Sequence, residues 1–171
     1  MHDLRMSRGA STVVNTCAGV QPGEQALIIA EHSKMAIAES LAAAVYAAGA
    51  EATIVLMTPR ELDGQEPPAA IAAAMRATDV FLCAVSRSIT HTHAVKEATS
   101  AGARGLVLTQ FSDEMLVRGG IQADFRAIAP RCRAMAAALA GSESVTLTTP
   151  QGTDLSFSAK AVSYTHLTLP T

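Results

Sequence analysis

The side chains best suited to chemistry are gathered in one short stretch, Ser86 to His93, which reads Ser-Arg-Ser-Ile-Thr-His-Thr-His. Imidazole titrates near neutral pH, so His91 or His93 could act as base, acid or metal ligand. The hydroxyls of Ser86, Ser88 and Thr90 are candidate contacts for a substrate. In an extended segment His91 and His93 point to the same side and could share a metal, whereas on a helix positions two apart diverge by about 200°. A plainer reading stands beside this one. Thr90 or Thr92 caps a following helix, and the histidines are solvated near its first turn.

Other polar residues carry less. His32 follows an apolar run but has ordinary neighbours and reads as an exposed loop histidine. Arg60, Glu61 and Asp63 lie in a polar loop that reads as a connection rather than a lid. Lys96-Glu97 and Asp113-Glu114 read as solvated helix surface. Cys83, inside an apolar run with no basic neighbour, is expected to be a small buried hydrophobe and not a nucleophile. Cys132 lies between Arg131 and Arg133, which helical geometry sends to other faces. The 3 cysteines form no Cys-x-x-Cys pair, so neither a disulfide framework nor a zinc knuckle is suggested, and a reducing cytoplasm is expected.

These residues must be positioned by the elements around them. Four short apolar runs, Ala26 to Ala30, Ala52 to Met57, Val80 to Val85 and Gly105 to Thr109, alternate with helical patterns. That alternation predicts a parallel sheet with right-handed crossovers and helices on both faces. Helices are expected over Lys34 to Ala48, from Pro67-Pro68 to about Ala77, and over His93 to Ala101. A short helical piece follows near Asp113 to Arg118. A longer one runs from about Asp124 to Ala140, with a break or kink near Pro130. The fold class expected is α/β, Rossmann-like and doubly wound. In such sheets ligands gather outside the carboxyl ends of the strands. Here those ends are Glu31-His32-Ser33, Thr58-Pro59-Arg60, Ser86-Arg87-Ser88 and Gln110 onward. No Gly-x-Gly-x-x-Gly follows the first strand and no Gly-x-x-x-x-Gly-Lys-Ser/Thr is present, so the scaffold carries no nucleotide fingerprint.

Beyond Gly141 the period changes. Ser144 to Thr149 and Thr153 to Ser158 alternate around Pro150-Gln151-Gly152, which predicts a β-hairpin. The expected organisation is an α/β domain over 1–141, the first hairpin of a truncated β-rich catalytic domain over 142–160, and a non-native tail over 161–171, because Ser163 to Thr171 has no charge and no amphipathic period. An isolated hairpin is marginal in water, and its unsatisfied edge suggests a homodimer.

Composition sets the outer limits. The 171 residues are 49% hydrophobic, with a mean hydropathy of +0.25, enough apolar surface for a core. Thirteen basic and 15 acidic residues, without a Lys/Arg cluster, offer no footprint for nucleic acid or an anionic membrane. The longest apolar runs are too short to cross a bilayer, and the first residues do not read as an export signal.

Several stretches together carry a family resemblance: Val13 to Val20 with Pro22-Gly23-Glu24, Val55-Leu56-Met57, Ser88-Ile89-Thr90-His91-Thr92, and Thr149-Pro150-Gln151-Gly152-Thr153-Asp154-Leu155. In order and spacing they resemble the N-terminal half of leucyl aminopeptidases of the aminopeptidase T type, whose fold is shared by 2,5-dihydroxypyridine dioxygenases. The resemblance implies a metal-dependent hydrolase of peptides, with an iron-dependent ring-cleaving dioxygenase as the alternative; a rival from another class is a non-catalytic small-molecule-binding or scaffolding domain. It also implies a divalent metal, zinc, cobalt or iron, whose ligands belong to a C-terminal domain, so no metal ligand is assigned in this chain and the chain alone is expected to be inactive. One residue carries over. In the dioxygenase branch a His after the equivalent strand lines the active site, and here that position is His91.

Overall fold

The computed structural model describes residues 4–159; the expected non-native tail over 161–171 lies outside them. The chain divides into two compact units, Met1–Ala123 and Asp124–Thr171. The division falls ahead of the long helix that sequence alone joins to the first domain.

In the first unit, strands β1 (Gln25–Ala30), β2 (Glu51–Leu56), β3 (Val80–Val85) and β4 (Arg104–Thr109) form one parallel sheet in the order β2-β1-β3-β4. Between them run α2 (Met35–Ala47), α3 (Ala69–Arg76) and α4 (His93–Ser100). Each strand lies within one residue of its expected bounds, because short buried runs framed by turn residues leave little choice of element.

Successive strand side chains point to opposite faces, and both faces are covered. On one, Ile28, Ala30, Leu82 and Ala84 pack with Ile37, Leu41 and Val45 of α2. On the other, Leu27, Ile29, Phe81, Cys83 and Val85 pack with Ile71 and Met75 of α3 and Ala94 and Ala98 of α4. Every residue of β3 is buried, as a central strand in a doubly covered sheet requires. Phe81 reaches this packing because β4 places Gly105 beside it: a Cβ there would lie 2.0 Å from the ring.

The sequence reading leaves one element out. Residues 4–17 are helical, a 3-10 turn (Leu4–Met6) leading into α1 (Ser7–Ser11) and a π-helical turn (Thr12–Cys17). Met6, Ala10, Val13 and Val14 are its buried stripe and join the α2 side of the core. Gly9, a poor helix former, sits where α5 (Asp113–Val117) crosses: a Cβ would meet the Leu116 carbonyl oxygen at 2.0 Å.

The second unit holds α6 (Phe125–Ala140) and the antiparallel hairpin of β5 (Ser144–Thr148) and β6 (Asp154–Ser158). The Asp124 carboxylate caps α6 by accepting from the Ala127 N–H at 3.0 Å. Of the break or kink expected at Pro130, the break does not occur. One helix runs through that position, with the proline forgoing its own N–H bond. In the hairpin Val145 faces Phe157 and Leu147 faces Leu155, while Thr146 and Ser156 share a hydroxyl bond of 3.0 Å.

Candidate functional site

The order β2-β1-β3-β4 reverses direction between β1 and β3, since β1 leads outward to β2 and β3 leads outward to β4. At such a switch point the connections leave on opposite faces and open a crevice at the carboxyl ends of the two strands. The residues just past those strands are Glu31 and Ser86.

Glu31 is wholly buried, an uncommon place for a carboxylate. It is satisfied there by Ser86, whose backbone N–H donates to Oε1 at 2.9 Å and whose hydroxyl donates to Oε2. The Ser86 hydroxyl proton is thereby engaged, and what Ser86 can still offer a ligand is acceptor capacity.

The segment that follows is held at every second or third residue. The Ser88 N–H donates to Asp63 Oδ1 at 2.6 Å, and the Ser88 carbonyl accepts from the Gly64 N–H at 2.8 Å. The Ser88 hydroxyl donates to the Thr90 hydroxyl at 3.0 Å and accepts from the Thr90 N–H at 3.3 Å. Ile89 is buried in the core beneath α3 and α4. Thr92, 3% exposed, caps α4 by accepting from the Val95 N–H at 3.3 Å and donates to the Ile89 carbonyl at 2.7 Å. Glu66 takes the two preceding amides, His93 N–H at 2.6 Å and Ala94 N–H at 3.2 Å. The capping residue is thus Thr92; Thr90 pairs with Ser88 instead. His91 lies in the exposed turn before the cap and His93 is the exposed first residue of α4.

Two further features line the same end of the sheet. Lys34 Nζ donates to the Phe111 carbonyl at 2.8 Å, tying the segment after β1 to that after β4. Between them Gln110 has a φ of +57°, left-handed backbone that non-glycine residues seldom adopt, with its N–H on the Val85 carbonyl at 2.8 Å.

Sequence reasoning names Ser86, Ser88, Thr90 and His91 as candidates but passes over the groups that hold them. Glu31 stands among the strand-end residues without being singled out, Glu66 is not considered, and Asp63 is read as part of a plain connection. The available signal is length: residues 57–68 between β2 and α3 exceed the about 2–6 residues usual for such a loop. The buried Cys83 thiol is pushed up to about 12 by desolvation, so it packs as a hydrophobe. His32 is exposed, and the Arg60 guanidinium turns back onto the Thr58 carbonyl at 2.8 Å. Among the described residues no three His, Cys, Asp or Glu side chains are grouped to hold a metal ion, and no helix is long and apolar enough to cross a membrane.

The family model for 2,5-dihydroxypyridine 5,6-dioxygenase (NicX) matches residues 6–168. The chain belongs to this family. Among solved structures it resembles the 2,5-dihydroxypyridine dioxygenase of Pseudomonas putida KT2440, with a TM-score of 0.66 at 15% identity over 89% of this chain and 46% of that one. It also resembles wild-type AmpT from Thermus thermophilus, with a TM-score of 0.55 at 17% identity over 90% of this chain and 53% of that one. At these identities the likeness speaks for the fold. No curated protein matches the chain. The chain spans about half the length of the two solved structures.

Proposed function

We propose that this NicX-family chain forms the α/β part of a ring-cleaving dioxygenase acting on a small hydroxylated pyridine. The observation that carries this reading is the family match over residues 6–168, which moves the dioxygenase ahead of the hydrolase that sequence alone puts first. The side chains at the strand ends support it. A hydroxylated heteroaromatic ring needs hydrogen-bond partners at its edge and a group that accepts or returns a proton near neutral pH. Ser88 and Thr90 supply paired hydroxyls, Ser86 supplies an acceptor, and His91, exposed in the turn above them, supplies the imidazole.

Proteins of the two related kinds use a divalent metal, and iron would supply activation of dioxygen. The described residues do not gather a ligand set for it. The work assigned to this chain is therefore to bind and orient the substrate and to move a proton at His91.

A second reading, a metal-dependent aminopeptidase, draws on the likeness to AmpT. The two are separated by assaying the whole protein that carries this chain for oxygen consumption with 2,5-dihydroxypyridine and for leucine release from a leucyl amide. Oxygen uptake without leucine release is expected. Leucine release alone would replace the first reading with the second.

A further inference from the structure

Three carboxylates from two separate segments accept hydrogen bonds from backbone amides of one loop. Glu31, after β1, takes the Ser86 N–H; Asp63 takes the Ser88 N–H; Glu66 takes the His93 and Ala94 N–H groups. These amides bracket the exposed turn that carries Thr90 and His91. Each carboxylate is acceptor-only when ionised and so can hold an amide only in one orientation. Charge-assisted bonds of this kind are shorter and stronger than neutral ones, consistent with the 2.6 Å contacts of Asp63 and Glu66.

We infer that Glu31, Asp63 and Glu66 are positioning residues that together fix the 86–94 loop and so set where the His91 ring stands. Glu31 holds the loop from beneath, at the sheet. Asp63 and Glu66 hold it from the side, through a connection whose own Gly64 N–H returns a bond to the Ser88 carbonyl. The Thr92 cap alone would be enough to start α4, since its hydroxyl already takes the Val95 amide. The two amides that Glu66 takes are the preceding ones. The long β2–α3 connection is, on this inference, a brace for the loop opposite it. The importance of His91 rests on the functional reading above, whereas the bracing does not.

The test uses the 171-residue chain itself. Asp63 and Glu66 are exposed, so Asp63→Ala and Glu66→Ala, singly and together, leave the core untouched, while Glu31→Gln probes the buried contact without removing every acceptor. Amide hydrogen exchange at Ser88, His93 and Ala94 and the ring signals of His91 are followed by NMR, with the methyl signals of Ile28 and Leu82 as the reference for an intact core. In the double variant we expect exchange at Ser88 and His93 to accelerate by about tenfold or more and the His91 ring signals to move toward those of an unstructured peptide. Asp63→Asn and Glu66→Gln, which keep one acceptor oxygen each, should restore part of both. Unchanged His91 ring signals in the double variant, with the core intact, would overturn the inference. None of these readouts depends on turnover, so the bracing and the functional reading can fail separately.

Discussion

The two ends of the sheet both use carboxylates, but only the amino end pairs one of them with a cation. At the amino end Glu24 meets a cation: Arg104 Nη2 lies 2.8 Å from Glu24 Oε2, and its guanidinium also donates to the carbonyls of Ala18 and Gly19. There too Asp79 Oδ2 accepts from the Gln25 N–H at 2.8 Å, locking β1 to the turn before β3. At the carboxyl end Glu31, Asp63 and Glu66 hold backbone amides of a loop that carries imidazoles and hydroxyls. An ion pair across short turns closes one end. At the other end, carboxylates on loop amides give a fixed shape to the segment past β3, the end of an α/β sheet at which ligands generally gather.

The sharpest test of that contrast is His91→Ala in the whole protein. A positioned proton shuttle contributes about a hundredfold or more to rate, so kcat should fall by at least that factor while thermal unfolding of this unit shifts by less than about 0.5 kcal/mol. Unchanged kcat would reduce the carboxyl end to walls.

Next in size is Glu31→Ala, which leaves two part-buried donors of Ser86 without their acceptor and should cost about 2 kcal/mol in denaturant unfolding. Glu31→Gln, keeping one acceptor, should cost clearly less. Equal losses would mean that charge rather than hydrogen bonding holds the crevice floor.

At the amino end Arg104→Ala should cost about 1 kcal/mol or less, because the pair is partly exposed. This pair also has a pH signature. The Arg104 guanidinium, helped by the Gln21 N–H, holds the Glu24 carboxyl below the ordinary carboxylate range. A depressed native value means that the stabilisation is present above the unfolded value of about 4.3 and is lost as pH falls through the native one. The unfolding midpoints of wild type and Glu24→Gln should therefore differ at neutral pH and converge in acid; parallel curves throughout would show that the pair contributes through packing only. The smallest effect belongs to His93→Ala, expected to change kcat and stability little, since His93 is exposed and its bond to Glu66 is made by the backbone N–H, which alanine keeps. A loss matching that of His91→Ala would join the two rings in one function.

The same contrast explains how much was legible beforehand. The α/β class, the four parallel strands, the hairpin and the segment bearing His91 all follow from apolar periodicity and turn residues, which are local properties of the chain. The N-terminal helix was within reach too, since Met6, Ala10, Val13 and Val14 recur at helical spacing; Gly9 and the surrounding polar residues mask it, and the reason for Gly9 lies more than a hundred residues away at Leu116. The brace on the 86–94 loop was out of reach. Asp63 and Glu66 bind backbone amides 25 and 27 residues distant, and backbone amides carry no residue identity for a sequence pattern to register. The buried state of Glu31 likewise depends on which strand lies beside β1, and strand order is not a periodic signal.

That strand order also governs how the crevice comes into being. Strands β1 and β2 can pair as soon as residues 25–56 are available, but β3 must cross over and dock on the other side of β1 before Ser86 reaches Glu31. Without β3 the Ser86 donors are absent, and an ionised acid needs water in their place. Pairing of β3 with β1 brings the two Ser86 donors to the Glu31 carboxylate, so the buried acid is satisfied only once this strand is in place. The arrangement at these strand ends is thus a product of completing the sheet: without β3, Glu31 has no Ser86 to accept from and the 86–94 loop has no strand to follow.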